Sequence, residues 1–217
     1  DRVLNEIKNI VKNKKYGLVK FANVSVGQYL PDWRSNKKYQ QGVSAQKKLG
    51  GGVLLELSHE IDYVNWIFGK PKKVFCVAKK ISNLKIDVED IASINFEYDK
   101  KLIQISLDFL QQVPKMEIKI IFENATIYCD LIKQNIFLFN KKYPNGKKLK
   151  IKNYSNGNQI YLYQMDYLLS KSFKKYKQKF KKNSKFKEFS SLASSKEILK
   201  IVDTLKNSNK LGKKIRL

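Results

Sequence analysis

Histidine, cysteine and arginine are scarce in this chain of 217 residues, and each scarcity excludes something. His59 is the one histidine, so exchange of a proton near neutral pH is confined to a single ordinary side chain. Cys76 and Cys129 are too few, and stand in no motif, for a disulfide framework or a zinc site, which makes a reducing, cytoplasmic setting the default expectation. A metal is not expected either, because the carboxylates near His59 are not arranged as paired ligands with a second histidine. Every apolar run is broken by Lys, Asn or Asp well short of the ~20 residues that cross a bilayer, so no membrane span is expected. The chain opens at Asp1 without a methionine or a signal peptide and is helical in pattern from the start. It reads as a piece whose natural start lies upstream.

Arginine is the least obvious shortage. Of 44 basic residues against 19 acidic ones, only Arg2, Arg34 and Arg216 are arginines, and the net charge is +25. Lysine is a point charge, whereas readers of nucleic acid lean on the bidentate guanidinium. The lysines are spread along the chain among many Asn and Ile residues, as a general compositional bias would leave them. Nucleic acid is therefore not the expected partner. One segment, residues 171–189, is the exception: Phe173, Tyr176 and Phe180 form an aromatic stripe flanked by lysines, which could lie on a phosphate backbone or an anionic membrane. The buried face of a packed helix is the favoured explanation of the same pattern.

What the chain does have is enough apolar content, 42%, for a real core in one domain spanning residues 1–217. Val3, Leu4, Ile7, Ile10 and Val11 predict a helix over 2–13, and alternation predicts a strand over 18–29. A long polar loop over 31–49 follows, then a helix from 52 to 68 closed by Gly69 and Pro71. Strand-like runs at 73–81, 91–98, 101–110, 115–122, 125–131, 134–140 and 147–153 are separated by short turns, including Pro144-Asn145-Gly146. Helical periodicity returns over 160–180 and 190–208. The plan is α+β: an open, mostly antiparallel sheet with helices packed on one face.

The candidate chemistry is concentrated in the helix after Gly50-Gly51-Gly52. On an unbroken helix Glu56, His59, Glu60 and Tyr63 share one polar face, with Asp62 a further carboxylate nearby. An imidazole beside a carboxylate can be held in one tautomer as a general acid or base; a solvated surface helix is the plainer alternative. The glycine triplet could cradle a phosphate at the helix start, but no Lys-Ser/Thr follows it and no Gly-x-Gly-x-x-Gly occurs in the chain. A flexible hinge is the better reading.

Gly27-Gln28-Tyr29-Leu30-Pro31-Asp32-Trp33, Tyr39, Ser44-Ala45 and the run from Lys48 through Gly50-Gly51-Gly52 to His59-Glu60-Ile61-Asp62-Tyr63 resemble the C-terminal half of the Gfo/Idh/MocA oxidoreductases. The resemblance extends over essentially the whole chain. It implies an open-sheet domain of the dihydrodipicolinate-reductase-like C-terminal type, preceded in the complete protein by a Rossmann domain that binds NAD or NADP and carries the catalytic lysine. It implies hydride exchange at a hydroxyl-bearing carbon of a sugar, polyol or nucleotide-linked sugar, with His59 as proton relay and Glu56 as the acidic residue before it. Gln28, Tyr29, Asp32, Trp33, Tyr39 and Lys48 are the implied substrate contacts, and a homo-oligomer through the open sheet face is the implied assembly. This chain departs from the common pattern in two places. Glu56 precedes His59 by three residues where four are usual and the acid is Asp, and Gln40, Val43 and Gln46 stand where basic or aromatic residues are expected.

Overall fold

A computed structural model describes residues 1–34, 38–151, 161, 162, 164, 165, 168, 169 and 192–217. The aromatic and lysine stripe of 171–189 lies outside the described residues. Helix α1 (Arg2–Lys12) starts where the Asp1 carboxylate accepts hydrogen bonds from the Val3 and Leu4 amides, and it buries Val3, Ile7 and Ile10. Their spacing puts one apolar stripe on the core.

The sheet contains β1 (Val19–Gly27), β2 (Lys73–Lys79), β3 (Ile91–Glu97), β4 (Leu102–Asp108), β5 (Lys115–Phe122), β6 (Thr126–Asp130), β7 (Asn135–Asn140), β8 (Tyr143–Lys148) and β9 (Ile215–Arg216). Their order is β8-β7-β6-β5-β1-β4-β3-β2-β9. All pairings are antiparallel except that of β1 with β4, so the sheet is open and mostly antiparallel, as the alternation predicts. Its meander is nevertheless split. β1 sits between β4 and β5, so the segment joining those two crosses the end of a third strand.

One face of the sheet carries Ala22, Val24, Ile94, Phe96, Ile103, Ile105, Ile118 and Ile120, all essentially inaccessible to water. Helices α1, α2 (Val53–Glu56), α3 (Ser58–Phe68) and α4 (Leu192–Leu211) cover this face and supply Leu54, Ile61, Val64, Ile201 and Leu205 to the same core. The Ser208 hydroxyl, buried on α4, accepts from the Cys76 amide at 3.1 Å and donates to the Lys213 carbonyl at 2.7 Å, tying helix, sheet and chain end together. Both cysteines are free and buried, and burial pushes each thiol up to about 12.

The opposite face is the alternate register. Asn23, Gln104 and Asn95 stand in one cross-strand row and Ser25, Ser106 and Ser93 in the next. The Asn23 amide donates to Gln104 Oε1 at 3.1 Å. Toward the rims, Val77, Leu102, Tyr128 and Phe137 are exposed on this face. No helix of the described residues is long and apolar enough to cross a membrane.

Two expectations need correction. The strand expected over 147–153 is β8, Tyr143–Lys148, because the turn lies earlier. The Asn140 side chain accepts from the Lys142 and Tyr143 amides and closes it there, so Pro144-Asn145-Gly146 becomes strand. The helix expected over 52–68 is two helices, broken at Leu57 (φ −100°, ψ 24°), and that break sets the direction of every side chain after it.

The glycine triplet is also firmer than a flexible hinge. Gly51 and Gly52 donate to the Gln46 and Ser44 carbonyls at 3.0 and 3.1 Å, while the Val53 amide donates to the Glu89 carbonyl. Gly52 has φ +107°, and a Cβ there would lie 2.5–2.7 Å from the Glu89 carboxylate. Gly52→Ala combines that collision with left-handed strain. It is expected to lower stability by about 1–3 kcal/mol in urea unfolding. Adding Glu89→Ala should return only part of the loss, since the strain stays.

Candidate functional site

The residues that resemblance singles out fall on one continuous stretch, from the end of β1 to the start of α3. β1 delivers the chain to a short 3-10 turn, Leu30–Trp33, which opens with proline in its first turn. Three more such turns follow, at Tyr39–Gln41, Val43–Ala45 and Lys47–Leu49. The described turns keep their shape through amides bonded within them, such as Asp32 to the Tyr29 carbonyl, Gly42 to Tyr39 and Gln46 to Val43, and through apolar side chains that reach the core. Trp33 packs edge-on against Phe109, ring centroids 5.2 Å apart, and its indole N–H donates to the Gln28 carbonyl. The Tyr39 hydroxyl accepts from the Lys85 amide at 3.1 Å.

A cavity of about 590 Å³ opens among these turns, walled by Leu30, Trp33, Arg34, Lys38, Tyr39, Gln41, Gly42, Val43 and Ser44. Of the six expected substrate contacts it brings together Trp33 and Tyr39. Gln28 and Tyr29 are half-buried beside it and do not line it. Asp32 and Lys48 are exposed and line neither this cavity nor the one behind the glycines, of about 650 Å³.

Ser44 links the cavity to the helices. It is nearly buried, and its hydroxyl donates a short hydrogen bond to Glu56 Oε2. Glu56 is the last residue of α2; His59 follows across the Leu57 break, its side chain 63% exposed. The expected single polar face does not exist. Glu60 is 0% exposed and lies with Ile61, Val64, Ile67 and Phe68 on the buried stripe of α3, and Tyr63 sinks beside it. The spacing 60, 61, 64, 67, 68 is that of a helix core face, and this is the signal by which the sequence could have separated Glu60 from the solvent-facing His59.

His59 Nε2 lies 3.1 Å from Glu60 Oε1. The Glu60 carboxylate is the main reason the imidazole titrates above its ordinary value; partial burial opposes that shift, while the Glu56 carbonyl and carboxylate add to it. Asp62 is raised, mostly by burial, with His59 pulling the other way. Burial raises the Tyr63 phenol, and the neighbouring Glu60 raises it further. The site can therefore hold a proton on an exposed imidazole and exchange it with something bound outside.

It does not fit a dinucleotide phosphate. The space above Gly52, where a pyrophosphate would meet the start of α2, is filled by the Glu89 carboxylate, whose Oε1 accepts from the Leu54 amide. Among the described residues no group of three His, Cys, Asp or Glu could hold a metal ion.

Solved structures share this architecture at low sequence identity. The WlbA dehydrogenase of Bordetella pertussis, in complex with NADH and UDP-GlcNAcA, superposes with a TM-score of 0.70 at 14% identity, over 100% of this chain and 60% of its own. An oxidoreductase of Agrobacterium radiobacter, in complex with NAD+, L-tartaric acid and magnesium, gives 0.72 at 16%, over 99% and 61%. A super-repressor mutant of Gal80p from Saccharomyces cerevisiae gives 0.76 at 10%, over 100% and 62%. The chain thus spans about three fifths of the structures it matches. No curated protein matches it. The model of the GFO/IDH/MocA C-terminal domain matches residues 4–128, more than half of the sequence, and the chain belongs to that family.

Proposed function

We propose that this chain is the substrate-binding and assembly half of an NAD- or NADP-dependent oxidoreductase acting on a CH–OH group of a sugar, polyol or nucleotide-linked sugar. The observation that carries the proposal is an exposed imidazole, raised above its ordinary value, on the helix that follows Glu56, whose carboxylate accepts from Ser44 in the wall of a cavity lined by aromatic and cationic side chains. The NADH and UDP-GlcNAcA of the Bordetella structure and the NAD+ of the Agrobacterium structure support the reading.

The nicotinamide, held by a Rossmann domain upstream of this chain, supplies hydride exchange with the substrate carbon. This chain supplies the proton. As the alcohol is oxidised, the hydroxyl proton passes to His59; in the reverse direction His59 returns it to the carbonyl oxygen. Trp33 and Tyr39 offer flat faces for a sugar ring, while Arg34 and Lys38 suit a negatively charged substituent. Glu56, fixed by Ser44, holds the wall of the cavity against the start of α3. Gln28, Tyr29, Asp32 and Lys48 flank this arrangement and would reach substrate only from its rim. In this reading the isolated chain is inactive, because the dinucleotide is held by the Rossmann domain. The protein works in the cytoplasm, and the open sheet face joins a second copy of the chain, its polar rows meeting their own symmetry mates.

Two measurements test this. In the complete enzyme, His59→Asn is expected to reduce turnover by about 10²–10⁴-fold with unchanged affinity for NAD(P); turnover equal to wild type would remove His59 from the chemistry. Ser106→Arg, in the middle of the open face, is expected to lower the molar mass in light scattering from that of an oligomer to that of a protomer. An unaltered mass would place the interface elsewhere.

A further inference from the structure

Glu60 is a buried carboxylate at the site that the proton relay leaves unused. It is 0% exposed, and neither carboxylate oxygen has a donor aligned for a hydrogen bond. A carboxylate in that position is costly unless a charge stands close to it. His59 stands in contact with it, with Nε2 3.1 Å from Oε1. The Glu56 backbone carbonyl is a second acceptor beside the same ring. A neutral imidazole has one N–H and one lone pair, while an imidazolium has two N–H groups. A ring flanked by two acceptors suits the charged form.

We propose that Glu60 is the positioning residue of His59: from inside the core it fixes the ring by Nε2 and holds it as an imidazolium, so that the resting protein presents a proton donor on its surface. Its catalytic meaning rests on the reading of His59 as the proton relay; the linkage between the two side chains does not. With that relay, the resting enzyme is set for carbonyl reduction, in which His59 gives its proton to the oxygen as hydride reaches the carbon. Alcohol oxidation needs the neutral ring and is favoured at higher pH.

The other titratable and charged groups around the pair are Glu56 on α2, Asp62 and Tyr63 on α3, and Cys129 on β6 behind Tyr63. Helix α1, packed against α3, brings Lys8, which lies 3.9 Å from the centre of the Trp66 ring, and Arg2, whose Nη1 is buried. From α4, Glu197 lies 3.9 Å from Lys70. Glu60 is the chief cause of the upward direction of His59 and contributes to that of Tyr63. The sign follows: the contact stabilises the fold fully below the unfolded histidine value of about 6.5 and is lost as pH rises through the higher folded value.

Because His59 is the single histidine, its ring gives one set of imidazole signals, and ¹H–¹⁵N NMR can titrate it in the chain without knowledge of the substrate. The wild-type midpoint is expected above 6.5. Glu60→Gln, which keeps the shape and removes the charge, should lower it by about one pH unit or more. Glu60→Asp should restore part of the shift, and Glu56→Gln should change it less. A wild-type midpoint at or below 6.5, which needs no variant to fold, overturns the proposal, as does an unmoved midpoint in a folded Glu60→Gln protein. Full turnover in His59→Asn would instead sink the relay and leave this linkage standing.

Discussion

The insertion of β1 between β4 and β5 is the constraint on which the rest of the domain depends. β1 pairs along almost its whole length on both sides, in parallel with β4 and antiparallel to β5. Without it, the β2-β3-β4 and β5-β6-β7-β8 meanders would be two separate ribbons, each with an unpaired central edge. Its alternation places Ala22, Val24 and Val26 in the core and Asn23 and Ser25 on the open face, so one short strand sets the register of both surfaces. Its last residue, Gly27, lies opposite Asp108, and a Cβ there would run into the Asp108 carboxylate. That carboxylate accepts from the Leu110 and Gln111 amides and starts the crossing from β4 to β5. The strand that joins the sheet is thus also the strand that launches the site.

From that launch point the site is built by backbone more than by side chains. The turns between Leu30 and Leu49 fold back on the glycine triplet, where Gly51 fits beneath the Val43 and Ser44 carbonyls and Gly52 beneath Glu89. These contacts fix the start of α2, and the break at Leu57 then rotates α3 so that His59 faces out while Glu60 faces in. The many lysines take little part in this. The ion pairs they form, such as Lys20 with Glu123 and Lys72 with Asp99, are exposed at both ends and contribute little to stability. High net charge here solvates the surface without specifying the fold.

Much of this was legible in the sequence, for physical reasons. Strong alternation over residues such as Ala92, Ile94 and Phe96, and the Val3, Ile7, Ile10 stripe, located β1 to β7 and the first helix within a residue or two. What failed did so where the deciding interaction is not local. Alternation says that β4 and β5 are strands and antiparallel, but nothing between them says that β1 lies in the gap. The Pro144-Asn145-Gly146 turn lost to an Asn140 side chain four residues earlier, and β9 exists only because β2 offers an edge. Within the site, motif resemblance found Trp33 and Tyr39 around one cavity, yet it could not show that Glu56 is occupied by Ser44.

The placement of Glu60 has a consequence for how such a site is maintained. It is an acidic residue in the first turn of α3, so the helix dipole favours its charge by about 0.3–1 kcal/mol, up to ~2 kcal/mol when partly buried. That alone falls short of the several kcal/mol that burial of a carboxylate costs, and the contact with His59 supplies an attraction of the right sign to close the gap. The dependence runs both ways: the core needs the imidazolium to shelter its carboxylate, and the imidazole needs the carboxylate to keep its proton. A site wired in this manner takes its proton affinity from the helix layer, not from the cavity loop. Under the proposed function, the Leu30–Leu49 turns can then vary to suit a different substrate without retuning His59.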